Sequence, residues 1–136
     1  MTDDVLVNKA ASLERCVMRI REEYGSSSSN LTDNQTKQDS IILNIERACS
    51  AAIDGAMHVV KERRLGIPQQ SRDAFHSLAE AGLMPSALAE KMKKMVGFRN
   101  IAVHEYQQLN LAIVQQVVEH HLSDFDDMAR WMINLA

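Results

Sequence analysis

The sequence predicts an all-α fold, a single-domain bundle over residues 1–136 with four long or medium helices and one short helix. Apolar residues recur every three or four positions along nearly all of the 136-residue chain, which is the spacing of one face of an α-helix. No segment alternates apolar and polar residues as a strand does. A chain of this length buries roughly two-thirds of the surface that its unfolded form exposes, so one core suffices.

The first predicted helix ends at Gly25. Its apolar stripe comprises Leu6, Ala10, Leu13, Val17, Ile20 and Tyr24. The composition of the following segment, GSSSSN over residues 25–30, predicts a flexible loop. Thr32 and Gln35 have the spacing of a capping box, so we expect them to open the second helix.

The second predicted helix is long and ends where residues 65–68 break the pattern. Its apolar seam comprises Ile41, Ile45, Ala48, Ala52, Ala56 and Val60. Small residues accompany this seam, namely Ala51, Ala52, Gly55 and Ala56. Because small side chains reduce the distance between helix axes, we expect another helix to approach closely here.

Three further helices are predicted in the second half of the chain. A short helix over 71–81 is expected to stop at Gly82, and Pro85 suits the first turn of the next helix. On that fourth helix one face carries Leu88, Met92, Met95 and Arg99. After Asn110 a last helix is predicted, with a stripe of Leu111, Val114, Val118, His121, Phe125, Met128, Met132 and Leu135.

Charge and composition narrow the functional classes. The formal net charge of −3 argues against a general nucleic-acid binder, because such binding depends on Lys and Arg along the phosphate backbone. Any RNA contact should therefore be local. The densest basic cluster beside a distinctive motif is Lys91, Lys93, Lys94 and Arg99, although a solvated helix face would have the same composition.

The cysteines and the N-terminus indicate a cytoplasmic setting. Cys16 and Cys49 lack metal-ligand spacing, so we expect two small buried apolar residues and no disulfide. The N-terminal segment is acidic where a signal peptide is basic, and no apolar run approaches the ~18 residues of a membrane span.

The stretch GFRNIAVHEY, residues 97–106, concentrates the polar chemistry of the chain. Arg99 and Asn100 are followed by His104 and Tyr106. Arg99 continues an apolar stripe, where an unpaired charge is costly unless a ligand or partner compensates it. Imidazole can exchange a proton at neutral pH, and guanidinium can hold phosphate oxygens. Both properties suit a site that moves protons beside a phosphate group.

The same stretch resembles the signature of HEPN-domain proteins, and its ending in Tyr resembles the HepT toxin branch. The run RDAFHSLAEAGLMPSALAEKMKKMVGFRN, residues 72–100, is also similar to that branch. The resemblance implies a homodimeric helical toxin with metal-independent endoribonuclease activity and no cofactor. It further implies that Arg99 and His104 are catalytic, that Asn100 supports them, and that an MNT-type nucleotidyltransferase antitoxin attaches AMP to Tyr106.

Helix geometry limits how Arg99 and His104 can meet at one phosphate. Five residues along an unbroken helix separate two side chains by roughly 140° around the axis and ~7.5 Å along it. Either the helix ends or loosens before His104, or two protomers each contribute Arg99 and His104 to a shared cleft. The apolar stripe leading into Arg99 favours the symmetric dimer.

The remaining histidines and motifs suggest no other chemistry. His120 and His121 are adjacent, whereas metal ligands on one helix face are three or four residues apart, so we expect core or surface residues and no metal site. Glycine-rich phosphate loops and paired catalytic carboxylates are lacking as well. The alternative to the ribonuclease hypothesis is a catalytically inactive helical dimer that only binds a nucleotidyltransferase or a nucleotide.

Overall fold

The chain folds as a bundle of helices, as the sequence predicts. A computed structural model describes the backbone of residues 2–104 and 110–136, and the side chains of the same residues except 102–104. Within these ranges there is no strand. The helices are α1 Asp4–Tyr24, α2 Ser29–Thr32, α3 Gln35–Glu62, α4 Ser71–Glu80, α5 Ser86–His104, α6 Leu111–Gln116 and α7 Leu122–Leu135, with a π-helical turn at Val117–His121 between α6 and α7.

Helix α1 begins and ends where its sequence provides caps. The Asp3 carboxylate accepts hydrogen bonds from the backbone N–H groups of Val5 and Leu6, which have no partner within the helix. Gly25 ends the helix at φ 58°, a conformation that glycine adopts without strain. All six residues of the predicted apolar stripe are buried, so α1 packs along α3 and α7 through that face.

The predicted start of the second long helix is wrong by two residues. Thr32 is the last residue of the short helix α2, and its hydroxyl donates to the Ser28 carbonyl at 3.3 Å. Asn34 caps α3 instead, because its side chain accepts from the backbone N–H of Lys37 at 3.0 Å. The serine-rich segment is therefore partly helical, since α2 occupies its end.

Helix α3 lies at the centre of the bundle. It packs against α1, α4, α5 and α7, and its predicted seam is buried throughout. Gly55 has no room for a side chain, because an added Cβ would collide with the sulfur of Met132 and approach Leu6. The small residues of α3 thus permit the close crossing that the sequence predicts.

Helix α4 and the turn after it position the start of α5. Gln70 and Asp73 form a capping box at the beginning of α4, and Gly82 has φ 73° in the turn that follows. Pro85 lies one residue before α5, and its carbonyl accepts from Ala89 N–H at 3.1 Å, so it precedes the first turn that we predicted for it. The turn is tied to the bundle because the Trp131 indole N–H donates to the Leu83 carbonyl at 2.9 Å.

The predicted last helix contains a π-helical turn that shifts its buried face. The turn adds one residue to the helical repeat, so Val117 and Val118 are both buried and the buried face resumes at Leu122. His121, which we placed in the apolar stripe, is exposed. The Tyr24 hydroxyl donates to Glu119 within the turn, which joins the end of α1 to this segment.

Two further predictions concern the cysteines and membrane-spanning helices. Both cysteines are free thiols, as predicted, but Cys49 is buried whereas Cys16 is only half-buried. Cys16 lies at the open side of α1, among polar neighbours from α3. Within the described residues, no helix is long and apolar enough to cross a membrane.

Candidate active site

Helix α5 carries the first eight residues of the GFRNIAVHEY stretch. The helix runs without interruption from Ser86 to His104, so it does not end before His104, and that alternative is wrong. The side chain of His104 and the whole of Tyr106 lie outside the described residues. Positions 99 and 104 of one continuous helix are roughly 140° apart around its axis, and the arrangement of two protomers around a shared cleft stays a prediction.

Arg99 continues the buried face of α5, as its sequence position predicts. Met92 and Met95 on that face are almost fully buried, and the Nε atom of Arg99 is itself buried without a hydrogen-bond partner among the described residues. A buried donor without a partner is unusual in proteins and indicates strain or a functional role. Arg99 is therefore a half-buried residue whose Nε donor has no partner in the described part of the chain, which is typical of a ligand-binding residue.

Cys49 of α3 supports α5 one turn before Arg99. Its thiol donates to the Met95 carbonyl, with 3.8 Å between Sγ and O. Burial raises the pKa of Cys49 to about 12, while the positive charge of Arg99 acts in the opposite direction. The guanidinium is thus within electrostatic reach of a neutral, buried thiol, which provides no negative charge to neutralise it.

Asn100 lies beside Arg99 on the exposed side of the same helical turn. It contributes to no core packing, so its side chain is accessible to solvent. Its supporting role stays a prediction. The neighbouring Gly97 has open space where a Cβ would be, so a substrate strand can approach the α5 backbone at that point.

The three lysines of the basic cluster on α5 have different surroundings. Lys93 forms an ion pair with Glu90, at 3.0 Å between Nζ and Oε1. Lys94 is exposed, and it forms no ion pair with any residue that the structure describes. Lys91 lies between these extremes, because its Nζ is 3.7 Å from Asp124 and 4.0 Å from Asp127. The sequence alone could not separate these three lysines.

A groove separates α5 from α6 and the π-helical turn. Its volume is about 550 Å³. We call it the α5–α6 groove and define it by the six facing residues Lys94, Met95, Phe98, Ile113, Gln116 and Val117. It is lined in part by α5, the helix that carries Arg99. Sequence analysis missed this groove, since it depends on how the π-helical turn orients α6.

The π-helical turn places two histidines at the rim of this groove. His120 and His121 are both exposed, and both line the groove. The Nδ1 atom of His121 lies 3.2 Å from Asp124, a carboxylate that is only 7% exposed. We expected core or surface histidines, and the surface position is the one observed. In the part of the chain that the structure describes, no three His, Cys, Asp or Glu side chains form a group that could hold a metal ion.

Comparison with known proteins identifies the family. The sequence model of the family described as "Ribonuclease HepT-like" matches residues 13–132. The chain belongs to this HepT-like ribonuclease family. The mRNA nuclease HepT of Shewanella oneidensis is 52% identical over 124 residues, which cover 91% of this chain and 92% of that protein.

Solved structures of HepT-like relatives share the whole fold. A tri-AMPylated HEPN toxin of Shewanella oneidensis in complex with an MNT antitoxin has a TM-score of 0.91 and 47% identity, covering 99% of this chain and 100% of that chain. A toxin–antitoxin structure with AMP-PNP has a TM-score of 0.89 and 47% identity, covering 96% and 99%. The predicted HepT-like HEPN family and the predicted all-α fold are thereby confirmed.

Proposed function

We propose that this chain is the toxin of a toxin–antitoxin pair and cleaves RNA without a metal ion, using Arg99 and His104. The proposal rests on one observation, namely that a member of a ribonuclease family has an unusual hydrogen-bonding environment at its predicted catalytic arginine. The chain belongs to the HepT-like ribonucleases, and the arginine of the predicted catalytic pair has a buried donor without a partner among the described residues. The 52% identical relative is named an mRNA nuclease, which supports RNA as the substrate.

The chemistry follows from the two side chains. Neutral His104 takes the proton of a ribose 2′-hydroxyl, and the resulting oxygen attacks the adjacent phosphorus. Arg99 holds the non-bridging oxygens while negative charge accumulates on them. A protonated imidazole then supplies a proton to the departing 5′-oxygen. The products are a 2′,3′-cyclic phosphate and a 5′-hydroxyl, so no water is consumed in this step.

The proposal requires a symmetric homodimer. One imidazole must be neutral and another protonated, which two copies of His104 provide when two protomers form one cleft. The continuous helix α5 supports this arrangement, since positions 99 and 104 of one protomer lie roughly 140° apart around the helix axis. Asn100, exposed beside Arg99, orients the phosphate or the imidazole.

Neutralisation of the toxin is proposed to occur at Tyr106. An MNT-type nucleotidyltransferase transfers AMP from ATP to the tyrosine oxygen, with pyrophosphate as the leaving group. The supporting relative was solved as a tri-AMPylated toxin with its MNT antitoxin. Added phosphates beside the catalytic pair repel RNA and fill the cleft. RNA, ATP and such a partner meet in the cytoplasm, where we place the protein.

The basic residues of α5 contribute to RNA binding unequally in this proposal. Lys94 and Lys91 line the α5–α6 groove, and Lys94 has no competing ion pair among the described residues. We therefore propose both as phosphate contacts. Lys93 is directed to Glu90, and we propose no RNA contact for it.

Cleavage of total RNA in the presence of EDTA tests the proposal. Wild-type protein should cleave, whereas Arg99→Ala and His104→Ala should each lose at least about 100-fold in rate. Arg130→Ala and His76→Ala are matched controls, because both residues are exposed and form only surface ion pairs. Equal cleavage by wild type and both site variants would exclude the mechanism and leave the binding-partner alternative.

Modification is tested separately by intact-mass measurement after co-expression with the cognate nucleotidyltransferase. We expect the mass of one or more AMP units on wild type and none on Tyr106→Phe. Tyr24→Phe is the matched control, because Tyr24 is buried against Glu119. An unchanged mass of the wild-type protein would sink the modification step.

A further inference from the structure

We propose that the α5–α6 groove binds one unpaired nucleotide of the RNA strand, next to the linkage that is cleaved. This inference rests on the proposed function, because helix α5 carries both the groove and Arg99. It adds a substrate-binding subsite to the catalytic pair and assigns a role to the π-helical turn.

The size and lining of the groove fit a nucleobase. A volume of about 550 Å³ lies within the range of pockets that bind small molecules, which is roughly 300–1,000 Å³. Its apolar wall is formed by Met95, Phe98, Val117 and Ile113. Ile113 is 47% exposed, so its side chain is open to contact with a bound base. A flat base can cover this wall and remove it from water.

The charges at the groove fit the phosphate of the same nucleotide. Lys94 is exposed and makes no ion pair with the described residues, so its ammonium group is available to a phosphate. His120 and His121 add two further donors at the rim. In a chain with a net charge of −3, such a local concentration of cationic and donor groups is the kind of surface that RNA can use.

Asp124, the one acidic residue that the described part of the chain places in the lining, does not oppose an anion. Asp124 is 7% exposed and lies between two cationic or ionisable partners, His121 at 3.2 Å and Lys91 at 3.7 Å. Its charge is therefore engaged by neighbours. The contact also fixes the imidazole, because Nδ1 of His121 faces Asp124 and Nε2 is the nitrogen that remains for a ligand.

Polar groups beside the apolar wall can distinguish bases. The amide of Gln116 and the hydroxyl of Ser123 line the groove, and both can donate and accept hydrogen bonds. A base can reach them only when it leaves a duplex, because proteins recognise RNA sequence mainly in unpaired loops and ends. The groove thus predicts cleavage of single-stranded or looped RNA.

The test is binding of a short fluorescent single-stranded RNA to full-length protein that carries His104→Ala, which prevents cleavage. The protein is expressed without a nucleotidyltransferase, so that AMP on Tyr106 cannot occupy the groove. Lys94→Ala should raise Kd about five- to tenfold and lower the slope of log K against log salt by about 0.7. Lys93→Ala, one residue away with the same charge change, should stay within about twofold.

Photocrosslinking locates the bound strand independently. RNA with 4-thiouridine at single positions should crosslink to peptides that contain Phe98 or Ile113. The inference is overturned if Lys93→Ala and Lys94→Ala weaken binding equally, if neither does, if the parent protein binds no RNA, or if all crosslinks map elsewhere. The wild-type protein could also fail to cleave RNA in EDTA while Lys94→Ala, and not Lys93→Ala, weakens RNA binding. That result would refute the proposed function and leave the groove assignment in place.

Discussion

Replacing Arg99 by methionine should stabilise the protein while abolishing cleavage. The Nε donor of Arg99 is buried with no hydrogen-bond partner among the described residues, and such a donor costs about 1–3 kcal/mol. Methionine has a similar length and no polar hydrogen, and it continues the stripe of Met92 and Met95. We expect the free energy of unfolding to rise by about 1 kcal/mol or more. Tm should then rise by roughly 3–5 °C.

Urea unfolding at equal protomer concentration measures this change, since the stability of the proposed homodimer depends on concentration. Arg130→Met is the matched control, because the Arg130 side chain is 69% exposed and its one ion pair among the described residues is with Asp127; it should alter stability by less than about 0.5 kcal/mol. RNA cleavage by Arg99→Met should fall by about 100- to 1,000-fold. A loss of more than about 1 kcal/mol in Arg99→Met, beyond the control, would show that the guanidinium is a structural element and would refute this reasoning.

Three further predictions concern the fold and its pH dependence. Tyr24→Phe removes the hydrogen bond to Glu119 and should cost about 1 kcal/mol at pH 7 by urea unfolding. Burial and the Glu119 carboxylate raise the pKa of Tyr24 from 10.0 to about 12, so the folded chain holds the phenolic proton more tightly than the unfolded chain does. Wild type should therefore lose stability relative to Tyr24→Phe between pH 10 and 12. Parallel curves of unfolding free energy against pH for the two proteins would contradict this. Phe75→Ala should lower the free energy of unfolding by about 3–5 kcal/mol, because Phe75 is fully buried. Ile67→Ala is the control, and it should lower that free energy by less than about 0.5 kcal/mol because the Ile67 side chain is 88% exposed. Similar losses in the two variants would be inconsistent with the core described.

Regular periodicity made most of the fold predictable. The stripe of α1 and the seam of α3 follow the 3.6-residue repeat without interruption, so their buried faces could be assigned from spacing alone. Arg99 was placed on the buried side of α5 by the same argument, and its buried Nε agrees with that placement.

Local hydrogen bonding explains what the spacing missed. Thr32 and Asn34 both suit a helix N-terminus, and only the position of α2 decides that Asn34 caps α3. The π-helical turn was likewise not visible, because inserting one residue in the helical repeat leaves the amino-acid composition unchanged. His121 moved from the predicted core to the rim of the α5–α6 groove for that reason.

The composite nature of the site needs a measurement on mixed dimers. One subunit is wild type and the other carries His104→Ala, with different tags so that the mixed species can be purified. If the imidazoles of both protomers act in one cleft, the single variant subunit removes one of the two proton-transfer groups of that cleft. In EDTA, the mixed dimer should lose at least about 100-fold of the wild-type cleavage rate, close to the His104→Ala homodimer. A mixed dimer that keeps about half of the wild-type rate would mean that each protomer cleaves on its own, and would contradict the claim that residues of both protomers act on one phosphate.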